Sequence, residues 1–155
     1  MTTGIDSLVE RFLNRSEEHL HPRYSEAQVR IDFLNPMFEL LGWDVANSAG
    51  LLSGQREVVT EPRQRGAEGT IEFPDYLFRL EGRPVFAVEA KKPSVNLFTD
   101  PAPAIQLRRY GWNSRELGIG IVTDFQEFAV YDCRVAPEVD DPASKMRVAY
   151  FTVEE

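Results

Sequence analysis

In the stretch PDYLFRLEGRPVFAVEAK, residues 74–91, two largely apolar runs flank Glu81, Gly82 and Arg83. Short runs of this kind around a glycine turn predict a β-hairpin with strands over 75–80 and 84–91. With the turn centred on Gly82, residues placed symmetrically about it lie opposite each other. Leu80 then faces Pro84, Leu77 faces Ala87, and Asp75 faces Glu89. Side chains alternate along a strand, so Glu89 and Lys91 share a face, Asp75 joins them from the neighbouring strand, and Lys92 points the other way. Val85 and Ala87 precede Glu89 on its face, while Phe86, Val88 and Ala90 occupy the other. An acid and a lysine ending an apolar strand imply a site at a sheet edge or cleft.

Two carboxylates directly opposite each other repel. A divalent cation together with Lys91 would offset that repulsion. Hard oxygen donors suit Mg²⁺, which takes one or two carboxylates and keeps waters. A bland reading stands beside this one: Glu-x-Lys arises by chance in a chain of this size, and Pro74 can simply start a strand. The joint placement of both motifs across one short hairpin favours the metal site.

Outward from the hairpin, Ile5, Leu8, Val9, Phe12 and Leu13 recur at helical spacing and predict a helix over 5–15. After a turn at Pro22, Ser25 and Gln28 form a capping box opening a second helix that runs to Gly42. Pro36 lies inside this helix and should kink it. Residues 56–61 predict a strand, followed by a polar loop. Asp100 caps a helix that tolerates Pro101 and Pro103 in its first turn and ends at Tyr110-Gly111. Strands follow over 117–123, 127–131 and 147–153, with a turn at Asp124. The order α-β-β-β-α-β predicts a mixed α/β fold, a central sheet flanked by helices. His19 and His21 read as surface histidines, and Trp43 and Trp112 as core residues.

The 155 residues are enough for one domain, 1–155, with a sizeable core. No run approaches a membrane span of about 20 apolar residues, and the N-terminus lacks a signal-peptide pattern. The single cysteine, Cys133, excludes an internal disulfide framework and fits a reducing cytoplasm. Net charge is −8, yet residues 56–109 hold nine Lys/Arg against eight Asp/Glu, which leaves −9 on the flanks. Strong autonomous binding to nucleic acid is therefore not expected, because phosphate contacts supply most non-specific affinity.

Pro74-Asp75 followed by Glu89-Ala90-Lys91 resembles the signature of the PD-(D/E)xK nuclease superfamily. The segment QLRRY, residues 106–110, resembles the QxxxY motif of RecB-like nucleases and type I restriction subunits. The stretch from Ser25 to Arg30, continuing to Asp44, is similar to the opening helix of such restriction nuclease domains. The match is closest to N-terminal nuclease domains of restriction enzymes that carry a fused DNA methyltransferase, and it covers roughly residues 24–131.

The resemblance implies a restriction-endonuclease-like core and a Mg²⁺-dependent endonuclease, with Mn²⁺ substituting, acting on double-stranded DNA. It implies that Asp75, Glu89 and the carbonyl of Ala90 hold the metal and that Lys91 acts on the water. Glu26 matches the supporting acid of the opening helix, although an acid in a first turn is stabilised by the helix dipole in any case. Glu61 is a rival third acid. Gln106 and Tyr110 share a helix face and, with Arg109, could contact the DNA backbone or brace Lys91; Tyr110 can equally be a half-buried packing residue. The chain is then expected to be the N-terminal fragment of a longer restriction–modification protein, with methyltransferase and target-recognition domains or subunits as C-terminal partners. Two alternatives remain: an inactive nuclease-like module that docks DNA or a partner, and a repair or junction nuclease of the same fold.

Overall fold

The computed structural model describes residues 3–60 and 73–154. Glu61 and the polar loop after it lie outside the described residues. Helices α1 (Gly4–Asn14), α2 (Ser16–His19), α3 (Glu26–Val29) and α4 (Asn35–Leu40) come first, with a π-helical stretch, Arg30–Leu34, joining α3 to α4. The strands are β1 (Val58–Thr60), β2 (Tyr76–Leu80), β3 (Arg83–Ala90), β4 (Ile119–Thr123), β5 (Glu127–Asp132) and β6 (Arg147–Thr152), and α5 (Pro101–Asn113) lies between β3 and β4. They form one six-stranded sheet in sequence order. Pairing is antiparallel except between β3 and β4, which run parallel because α5 carries the chain back across the sheet. This is the mixed α/β architecture expected from the sequence. Among the described residues no helix is long and apolar enough to cross a membrane.

Helices cover both faces. On one, Phe12, Phe33, Leu34 and Phe38 from the N-terminal helices pack with Tyr76, Phe78, Val88 and Ala90. On the other, Ala104 and Leu107 of α5 pack with Ala87, Val122, Ala129 and Tyr131. The alternation of β3 thus feeds two cores, its even positions facing one layer and its odd positions the other. Glu89 falls on the odd set, at the end of the strand.

The hairpin register holds where it matters for the site and changes at the tip. Tyr76 faces Val88, Leu77 faces Ala87 and Phe78 faces Phe86, but a bulge after Phe78 pairs Arg79 with Pro84 and Leu80 with Arg83. Leu80 therefore does not face Pro84. The turn has two residues, Glu81 and Gly82, both at positive φ (51° and 79°), the conformation that joins twisted antiparallel strands. The extra residue is Val85 of β3, beside Pro84, which has no amide hydrogen to give to the ladder; on its other edge β2 stays paired with the first strand, the Arg79 amide donating to the Glu57 carbonyl at 2.7 Å.

Pro36 interrupts the regular hydrogen bonding of its helix, as a proline must. The π-helical turn precedes it, with Asn35 N–H donating to the Arg30 carbonyl. The Arg11 guanidinium of α1 donates to the Asp32 carbonyl, the group four residues back that a proline nitrogen cannot serve. His19 is buried rather than on the surface. Its ring stacks on Phe12 at 5.0 Å, and its Nδ1 lies 2.9 Å from the Phe12 carbonyl. A carbonyl only accepts, so Nδ1 carries the proton and satisfies one of the last open carbonyls of α1. His21 is exposed, as expected. Trp43 packs on Phe78 and Phe86, whereas Trp112 is 49% exposed.

Helix α5 does not end at Gly111 but runs on to Asn113. Gly111 is needed for packing: a Cβ there would lie 2.3 Å from Cβ of Cys133. Helix propensity alone would gain up to about 1 kcal/mol from Gly111→Ala. Overpacking costs about 1–3 kcal/mol and should win. Urea denaturation of Gly111→Ala is therefore expected to show a net loss of stability. Cys133→Ala should not rescue it, because the clashing Cβ remains.

Candidate active site

The end of the β2–β3 hairpin brings the acids together. Asp75 stands one residue before β2, and its Oδ2 accepts the Ala90 amide at 2.8 Å, so the side chain continues the ladder where the main chain stops. Glu89 is only 5% exposed. Glu26 arrives from the first turn of α3, whose start is set by the Ser25–Gln28 capping box. One carboxylate oxygen from each of Glu26, Asp75 and Glu89 lies within 4.8 Å of the other two. The N–H and C=O of a residue in an extended strand point to the same side. The Ala90 carbonyl therefore faces the same strand edge as Asp75.

Lys91 follows β3 directly, its amide donating to the Thr123 carbonyl of β4 at 3.0 Å. Its Nζ lies 3.6 Å from Glu89 Oε1 and donates to Gln106 Oε1 at 3.2 Å. Lys92 turns away, its Nζ reaching the Pro22 carbonyl at 3.5 Å. Gln106 belongs to α5, so this site draws Glu26 from one helical layer and Gln106 from the other. Tyr110, one turn further along α5, packs with the core beneath that helix and faces Phe73 at 6.5 Å. It stays in a packing position and is not part of the carboxylate group.

Arg30 has no counterpart among the sequence expectations. Its NH1 stands 3.5 Å from Asp75 Oδ1, and its guanidinium carbon lies 5.1 Å from the Tyr76 ring centre. The available signal was its spacing of four from Glu26, which places both on one helix face. A second acidic group, Glu138, Asp140 and Asp141, lies in the loop before β6. Asp141 there is held by Arg108 at 2.8 Å.

Burial dominates the electrostatics. It raises the Glu89 carboxyl to about 8, with the Asp75 charge adding to the effect. Asp75 is raised by burial against the Ala90 amide and Arg30, which oppose it. Glu26 is raised by burial against the pull of Lys91. Three hard oxygen donors, short of charge balance and without sulfur or imidazole among them, fit a small divalent cation such as Mg²⁺.

The chain is similar over 152 residues, at 39% identity, to the type II restriction enzyme and methyltransferase RM.Eco57I of Escherichia coli. The similarity takes in 96% of this chain and 15% of that protein. The chain is thus related to a restriction enzyme and corresponds to one segment of a far longer polypeptide. No protein-family profile and no solved structure matches it.

The raised Glu89 carboxyl has a consequence for stability. The folded chain retains a proton that the unfolded chain releases near its ordinary value of 4.5. The stabilisation is full below that value and is lost as pH rises through about 8. In the presence of a chelator, urea denaturation across that window should show Glu89→Gln declining less steeply with pH than the parent chain.

Proposed function

We propose that this chain is the Mg²⁺-dependent nuclease domain of a restriction enzyme, cleaving phosphodiester bonds of double-stranded DNA through a PD-(D/E)xK site. The observation that carries the reading is the convergence of Glu26, Asp75 and Glu89 with Lys91 held beside them. Its relation to a segment of a restriction enzyme and methyltransferase supports the same conclusion.

Glu26, Asp75, Glu89 and the Ala90 carbonyl would hold the cation. A bound Mg²⁺ polarises a phosphodiester and lowers the pKa of its water. Lys91 orients the attacking water and offsets charge as it develops on the phosphate oxygens. Gln106 accepts from the Lys91 ammonium and fixes its direction, leaving the other two ammonium protons for water and phosphate. Tyr110 braces the helix that carries Gln106. Mn²⁺, which accepts the same oxygen donors, would substitute.

Cleavage should require Mg²⁺ or Mn²⁺ and be abolished by Asp75→Asn or Glu89→Gln in folded protein. Undiminished cutting by both variants would exclude this site. Lys91→Ala should lower the single-turnover rate by roughly 10²- to 10³-fold, with metal affinity largely retained, while Lys92→Ala has little effect. The opposite ranking would mean that the face assignment of the two lysines is wrong. Metal-insensitive DNA binding without cleavage would instead assign the fold a docking role.

Target recognition falls to other parts of the enzyme, methyltransferase and target-recognition domains or subunits among them. The −9 outside residues 56–109 opposes tight duplex binding by residues 1–155 alone. Tethering to a DNA-bound partner raises the local DNA concentration at the site. A salt-titrated binding assay of this fragment is expected to show weak affinity without sequence preference; tight, selective binding at physiological salt would contradict the division of labour.

A further inference from the structure

The turn that leads into α3 stands beside the carboxylates. Lys92 follows Lys91 at the end of β3, and its Nζ reaches the Pro22 carbonyl at 3.5 Å. The same ammonium lies close enough to Glu26 for its charge to favour the ionised carboxylate. Residues 21–25 therefore border the site on the side from which Glu26 enters it. This turn is fixed along its length. The Tyr24 amide donates to the His21 carbonyl at 2.9 Å, and the Arg23 amide donates to His21 Nδ1 at 3.1 Å. Tyr24 is buried, its hydroxyl donating to Asp32 Oδ2 at 2.6 Å. Ser25 then caps α3, and Glu26 begins it.

Between these anchors the side chain of Arg23 is exposed. Among the described residues its guanidinium closes no hydrogen bond or ion pair. Glu17 and Glu18 border the same hollow as Arg23, yet neither is paired with it. The main chain on both sides of Arg23 is already ordered, so a ligand that takes the guanidinium has only side-chain freedom to remove. A planar fork of donors with a permanent charge suits phosphate. Consecutive Cα atoms are about 3.8 Å apart, so Arg23 stands within about 11 Å of Glu26. It flanks the carboxylates rather than joining them.

We propose that Arg23 contacts the DNA backbone at a phosphate flanking the scissile one, on the Glu26 side of the site. The inference rests on the nuclease reading and deepens it. It names one part of the substrate-binding surface outside the carboxylate group.

The test compares the parent chain with Arg23→Met and Arg23→Lys, and with Arg83→Met as a control for charge. Arg83 is exposed and begins β3, about 20 Å along the strand from Glu89. Duplex DNA affinity is measured as a function of KCl with Ca²⁺ present, and calorimetric titration of Mn²⁺ and thermal melting run alongside. Loss of one phosphate contact should weaken duplex binding about fivefold at low salt and reduce the salt slope by about 1. Arg23→Lys should keep the slope, Arg83→Met should leave it unchanged, and Mn²⁺ affinity should stay that of the parent chain. An unchanged slope in Arg23→Met means that Arg23 only offsets Glu17 and Glu18, and an equal drop in Arg83→Met means a general effect of charge; either result overturns the proposal. So does a parent chain whose duplex affinity is independent of salt. Should Arg23→Met fail to melt cooperatively, Arg23→Gln is read by the same criterion. Absence of cleavage by the parent chain in Mg²⁺ would count against the nuclease reading, whereas the binding slope still decides the role of Arg23.

Discussion

Three carboxylates packed within 4.8 Å at the end of an otherwise apolar strand impose the constraint on which this site depends. Glu89 continues a strand whose preceding residues, Ala87 and Val88, are buried in two different cores. The strand carries the acid to a place where burial penalises its charge. Neither Glu89 nor Asp75 can move far, because one is in the ladder and the other replaces a ladder hydrogen bond to Ala90. The repulsion is therefore built in and is met locally, by a proton, by Lys91 and Arg30, or by a cation.

The parallel pairing of β3 with β4 extends this constraint across the fold. Its last hydrogen bond runs from the Lys91 amide to the Thr123 carbonyl and sets the direction of the chain just beyond the acids. The loop after Lys91 is anchored in turn, with the Leu97 amide donating to Glu127 Oε2 at 3.1 Å, before α5 returns over the sheet. Gln106 reaches Lys91 through that return. The crossover that parallel pairing requires thus also delivers a polar group to the lysine. On the other face, the capping box of α3 and the π-helical stretch aim Glu26 and Arg30 at the same strand end.

Much of this was legible in the sequence because short-range rules govern it. The hairpin was readable from its apolar runs and glycine turn, and the separation of Lys91 from Lys92 follows from strand alternation alone. The capping box at Ser25 and the proline-tolerant start of α5 depend on backbone groups within four residues, so they were readable too. These local rules also explain the errors. Gly111 resembles a helix terminator, yet its missing Cβ answers to Cys133, 22 positions away in sequence. His19 resembles a surface residue until the rings of Phe12 and Phe33 close around it.

The sequence by itself determined the fold class, the hairpin and the face shared by Glu89 and Lys91, since each depends on the period of a single element or on one tight turn. Only the tertiary structure decided that Glu26 stands with Asp75 and Glu89, that Gln106 holds Lys91 while Tyr110 packs, and that Arg30 faces Asp75. These relations join two helical layers to one strand end. The distances that establish them depend on how helices pack across a sheet, which no local spacing encodes.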